Sequence, residues 1–149
     1  MTTSVADTSI WIGFLRDGTA EGFVRRGLHA RRLLLASVVA HELYLGVTDR
    51  VEKRELDRIC AAFSVENLRV TPSFEDWSTA GVLLQRYGRL HGAIEARTLL
   101  NDVLIVLCAA AHRAVLVTWN VRDMDRWNKM LPRHRRVRVA TPRHADRVQ

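Results

Sequence analysis

Residues 114–123, Ala114-Val115-Leu116-Val117-Thr118-Trp119-Asn120-Val121-Arg122-Asp123, decide the fold. The run from Ala114 to Thr118 is apolar without alternation and too short for an ordinary helix, so it predicts a strand buried on both faces. Strands of that kind belong to parallel sheets covered by helices. Its end delivers Asn120 and Asp123, polar residues placed where a strand-to-helix loop opens.

Upstream, other runs share this character. Ser4 to Ala6 is a short strand ending at Asp7, and Ser9 to Leu15 then predicts a brief helix closed near Gly18. Arg32 to Ala36 predicts a second strand, after which Ser37 can cap a helix carrying Glu42 in its second turn. Val51 to Phe63 reads as an amphipathic helix, Leu68 to Val70 as a short strand, and Ser73 as the cap of a long helix toward His91. Glu75 and Asp76 suit the positive end of that helix. After a polar stretch, Asn101-Asp102 opens an apolar helix, Val103 to His112, and Val137 to Ala140 predicts a last strand before Pro142. Helices alternating with short apolar strands place the chain in the α/β class, with a parallel sheet covered on both faces.

The 149 residues suit one domain spanning 1–149, with no repeat, low-complexity segment or linker to divide them. The longest apolar runs fall well short of the roughly 20 residues a membrane-spanning helix needs. No basic, apolar export signal precedes Asp7, so a cytoplasmic protein is the expectation. Cys60 and Cys108 each lie in an apolar stretch and read as buried free thiols rather than a disulfide or a zinc site. The net charge of +7 is uneven, because residues 131–149 hold six arginines against one aspartate. That segment reads either as a solvated terminus or as a surface for phosphates or an acidic partner.

Four acids occupy strand ends or helix starts, where functional groups of open parallel sheets collect: Asp7, Glu42, Asp102 and Asp123. Clustered carboxylates raise one another's pKa, and with no Lys or Arg built in, such a cluster calls for a cation. Oxygen-only ligands favour magnesium or manganese over zinc. One or two such ions suit an in-line phosphodiester displacement. Taken singly, each acid also fits a helix cap or a surface charge.

At these residues the chain resembles the PIN-domain ribonucleases, and among them the VapC toxins of bacterial toxin–antitoxin (VapBC) pairs. Four blocks carry the resemblance, in family order: VADTSIWI with its opening Asp-Thr pair, SVVAHELYLGV with its Glu, LLNDVLIVLCAAAH with its Asp, and AVLVTWNVRDM with Thr-x-Asn-x-x-Asp. The resemblance spans roughly residues 3 to 130. It implies a three-layer α/β/α sandwich with a mostly parallel sheet of four to five strands. It makes Asp7, Glu42, Asp102 and Asp123 the catalytic, metal-binding acids of a Mg2+- or Mn2+-dependent RNA endonuclease. Thr8 or Ser9, Thr118 and Asn120 become polar supports. A VapB-like antitoxin that occludes the site and a homodimer are the implied partners, with DNA met only through the antitoxin complex. Met124 stands where an aromatic commonly follows the last acid, and Trp119 where a polar residue is frequent. Asp125 is a second carboxylate beside Asp123, and the spacing from Asn120 selects Asp123.

Trp119, Trp127, Arg122 and Arg126 lie near the last acid and suit either base stacking and phosphate contact or packing and solvated charge. The apolar residues Ile10, Trp11 and Phe14, with those of 51–63, suit a core or a partner groove. Other chemistries fit less well. His41-Glu42 lacks the second histidine of a zincin, since position 45 is Leu45. Phosphate-cradling glycine motifs are absent. A phosphoacceptor Asp7 lacks the acidic companions of receiver domains and the Asp-x-Asp of dehalogenase-like phosphatases. A fold that binds nucleic acid without cutting it is the remaining alternative, and the intact acids favour catalysis.

Overall fold

The computed structural model describes residues 2–145. Five parallel strands form the sheet in the order β3-β2-β1-β4-β5: β1 (Ser4–Ala6), β2 (Leu33–Ala36), β3 (Arg69–Val70), β4 (Val115–Val117) and β5 (Val139–Ala140). Helices on both faces complete a three-layer α/β/α sandwich. β1 is central, with Ser4 in register with Leu33 on one side and with Val115 on the other. Chain order runs outward from β1 in one direction through β2 and β3 and in the other through β4 and β5. The reversal opens a crevice at the carboxyl ends of β1 and β4, the place where such sheets bind ligands.

All four residues of β2 are buried, whereas β3, at the sheet edge, leaves Arg69 exposed. Around them stand α1 (Thr8–Arg16), α2 (Glu21–His29), α3 (Ser37–Leu45), α4 (Arg50–Val65), α5 (Phe74–His91), α6 (Ala96–Ala111), α7 (Val121–Met130) and α8 (Pro142–Ala145). α6 is the central helix, packed on β1 and β4 and against α3, α5 and α7. Every residue from Val103 to Ala110 is buried, which is why this stretch carries no charge. Cys108 is buried and Cys60 half-buried, both as free thiols.

The structure departs from the sequence reading at several points. α6 begins at Ala96 rather than at Asn101, because the seemingly polar stretch holds Ile94, Leu99 and Leu100, which pack on the core. Asp102 therefore sits in the second turn of α6, not at its start. Ser37 does not cap α3; its hydroxyl donates to Thr71 Oγ1 at 2.9 Å, and Ala36 holds the cap position without a side-chain bond. α2 is absent from the sequence reading: it is short, buries only Phe23 and Val24, and starts from Ala20 in the left-handed region with no capping side chain. Ser73 does cap α5, and Asp76 completes a capping box with it.

The basic segment is part of the fold through residue 145. Arg136 donates to the carbonyls of Leu131 (2.9 Å) and Lys129 (2.6 Å), and Arg138 to that of His144 (2.7 Å). Arg135 reaches the buried Asp76 at 3.4 Å, and Asn128 pins the approach to β5 by bonding both backbone groups of Val137. Residues 146–149 of that segment lie outside the described residues. Among the described residues no helix is long and apolar enough to cross a membrane.

Candidate active site

The crevice between β1 and β4 is built around Asp7. As the residue that ends β1 and caps α1, it accepts from the Ser9 amide (2.9 Å), the Ser9 hydroxyl (2.5 Å) and the Ile10 amide (3.3 Å) on Oδ1. Its Oδ2 accepts from the hydroxyl of Thr118, a fully buried residue at the end of β4, at 2.5 Å. Burial pushes the Asp7 carboxyl above its ordinary range, against the opposing pull of these donors. The carboxylate is thus fixed in direction before any ligand arrives.

Glu42 reaches the same region from α3. Its Oε2 accepts from the Thr8 hydroxyl and its Oε1 from Asn101 Nδ2 at 3.0 Å. Asn101 has no place among the residues picked out from sequence as supports; it reads there only as a helix opener. Its neighbour Asp102 is half-buried, one residue before the wholly buried stretch of α6. Burial first, and then the charges of Asp7, Glu42 and Asp123, push the Asp102 carboxyl up to about 6, while Arg126 pulls it back. The other three acids therefore all act on Asp102 across the crevice.

Asp123 lies in the first turn of α7, with Oδ2 accepting from Asn120 Nδ2 at 2.8 Å and Oδ1 3.5 Å from Arg126. The Asn120 amide in turn donates to Thr118 Oγ1 at 2.9 Å, so one hydroxyl ties the supports of Asp7 and Asp123 together. Asp125 is occupied elsewhere, 2.7 Å from Lys129 Nζ, and that pairing holds its carboxyl below the ordinary value.

A cationic side chain is built into the cluster after all. Arg126, three residues after Asp123 on the same face of α7, carries its charge to both Asp123 and Asp102. Arg122 is exposed, as is Trp119, which is 44% accessible beside the crevice with its amide 3.4 Å from Ser9 Oγ. Trp127 is fully buried and packs on Tyr87, so it belongs to the core.

Among the described residues no three His, Cys, Asp or Glu side chains close into a ready ligand set. The donor chemistry nevertheless fits a hard divalent cation: every converging ligand is a carboxylate oxygen, and the mutual repulsion felt at Asp102 is what such an ion relieves.

An apolar groove of about 260 Å³ runs away from Glu42, lined among others by Ile12, Leu15, Leu43, Val47 and Val51. Its exposed wall includes Ile12 and Leu15 of α1 and Val51 of α4; of the residues that suit a core or a partner groove, Ile10 and Trp11 are buried in the core and Phe14 packs partly against it.

No curated protein sequence matches the chain. Solved structures match its fold along nearly the whole length. The DNA-bound VapBC of Salmonella typhimurium is 17% identical with a TM-score of 0.65, covering 95% of this chain and 99% of that one. FitAcB of Neisseria gonorrhoeae is 20% identical with a TM-score of 0.63, over 95% and 99%. VapBC2 of Rickettsia felis, bound to a promoter DNA fragment, is 20% identical with a TM-score of 0.62, over 93% and 97%. The family model for the PIN domain, whose members are generally nucleases that use divalent metal ions, matches residues 4–129. With that match spanning both strands that flank the crevice and all four acids, the chain belongs to the PIN domain family.

Proposed function

We propose that the chain is a metal-dependent endoribonuclease toxin of the VapC type, hydrolysing RNA phosphodiester bonds at Asp7, Glu42, Asp102 and Asp123 and neutralised by a VapB-like antitoxin. The observation that carries this reading is the Asp102 carboxyl, which feels three further acids brought from three other elements. A stable fold has no use for that repulsion, whereas a cation site does.

Asp7 and Glu42, each fixed by side-chain donors, would hold Mg2+ or Mn2+ together with Asp102, and Asp123 would complete the set. Bound there, one or two ions would lower the pKa of water and offset the phosphate charge. Thr8, Asn101, Thr118 and Asn120 keep the carboxylates aimed into the crevice, and Ser9 shares Asp7 between its amide and its hydroxyl. Trp119 and Arg122, exposed at the rim, suit RNA contact.

The antitoxin reading draws on the apolar groove, since an apolar segment seated along Ile12, Leu15 and Val51 would end at Glu42 and cover the acids. The solved neighbours are VapBC, VapBC2 and FitAcB by their descriptions, the first two bound to DNA. A homodimer is part of the same reading, and the exposed Phe74, Trp77 and Leu90 of α5 are surfaces for it.

The test is cleavage of cellular RNA by the purified protein with Mg2+ or Mn2+. EDTA and Asp7→Asn are each expected to stop it. Cleavage that survives Asp7→Asn places the chemistry elsewhere, and intact RNA in the presence of either metal leaves a nucleic-acid-binding fold.

A further inference from the structure

We propose that Arg126 is the phosphate-binding residue of this site, a guanidinium held ready to take the non-bridging oxygens of an RNA phosphodiester at the acid cluster. The inference rests on the nuclease reading and adds to it the group that receives the substrate's charge. Four carboxylates present a repulsive field to a polyanion, and a fixed cation at their edge is the simplest remedy.

Three observations single out Arg126 from the other arginines. Its guanidinium lies 5.1 Å from the centre of the Tyr87 ring and 5.3 Å from that of Trp127, so two aromatic faces set its position. Its contact with Asp123 is 3.5 Å long, and the other Asp123 oxygen is already taken by Asn120. Its Nε is buried with no hydrogen-bond partner among the described residues, while 38% of the side chain is open to solvent. A group placed only to pair with Asp123 would use its donors on that carboxylate. This one keeps them unspent, in the planar fork that matches a phosphate.

The alternative is that Arg126 merely positions Asp123, and the two roles separate experimentally. The full-length chain is compared with Arg126→Ala and Arg126→Lys in three measurements: anisotropy of a fluorescein-labelled single-stranded RNA oligonucleotide in EDTA, calorimetric titration with Mn2+, and single-turnover cleavage. Arg126→Ala is expected to weaken RNA binding roughly tenfold and slow cleavage roughly 100-fold, with Mn2+ affinity unchanged or tighter. Millimolar guanidinium, entering the space left beside the Tyr87 and Trp127 rings, should restore part of the cleavage of Arg126→Ala and none to the parent. Arg126→Lys, which keeps the charge but not the fork, should bind RNA nearly as well as the parent and still cut more slowly.

Parent-like RNA binding and cleavage in Arg126→Ala would overturn the proposal. So would a loss of Mn2+ affinity parallel to the loss of cleavage, the mark of a residue that only supports Asp123. If Arg126→Ala does not fold, parent-like cleavage by Arg126→Lys overturns it instead. A parent that binds RNA without cutting it removes the nuclease reading alone, and the anisotropy comparison then decides Arg126 by itself.

Discussion

Replacing Asp102 by asparagine should make the metal-free protein more stable while abolishing the proposed cleavage. The Asp102 carboxyl is raised from 3.8 to about 6 by burial and by three like charges. A displacement of that size corresponds to about 3 kcal/mol. The side chain is only half-buried, so solvent screening leaves roughly half of it, about 1.5 kcal/mol. The folded state binds the proton more tightly than the unfolded chain does. The penalty is therefore absent below the unfolded value near 4, grows as pH rises, and is fully present above about 6. Urea denaturation in EDTA at pH 4 and pH 7.5 reads this directly. Asp102→Asn should match the parent at pH 4 and exceed it at pH 7.5, with a melting temperature roughly 3–6 °C higher. Saturating Mn2+ should reverse the order by stabilising the parent alone. A variant no more stable than the parent at pH 7.5, or a difference that does not change with pH, would refute the claim that the acids repel one another in the free protein.

Two further substitutions test the supports. Asn101→Ala removes the donor on Glu42 Oε1 and should weaken Mn2+ binding by about tenfold, measured by calorimetry, with an unchanged circular dichroism spectrum. Asp76→Ala removes the capping box at α5 and the partner of Arg135; it should cost about 1–2 kcal/mol, seen as a lower urea midpoint.

The sheet was readable because its inner strands β2 and β4 are short apolar runs that no amphipathic helix explains, β4 the plainest of them. The four acids were readable by position, since strand ends and early helix turns are visible in a pattern. What joins them was not. Asn101 meets Glu42 across 59 residues, and no local rule connects the two. Arg126 stands three residues after Asp123, a spacing that does place it on the same face, yet its aromatic bed requires Tyr87 from α5. α2 is hard to read because it is only nine residues long, holds two glycines and starts without a capping side chain. The start of α6 is hidden because the exposed Arg97 and Thr98 precede Leu99 and Leu100, which are only partly buried.

The hydroxyl of Thr118 meets Asp7 across 111 residues. On the ribosome, Thr118 follows Asp7 on the order of ten seconds later at ordinary elongation rates. Through that interval β1 has no β4 beside it, Asp7 has no donor on Oδ2, and Asp123 has not been synthesised. A nascent or prematurely terminated chain therefore carries no complete acid cluster. Whatever depends on the four acids together is withheld until Asp123 has been made, whereas every residue lining the groove beside Glu42, from Ile12 to Leu56, is already in place by then.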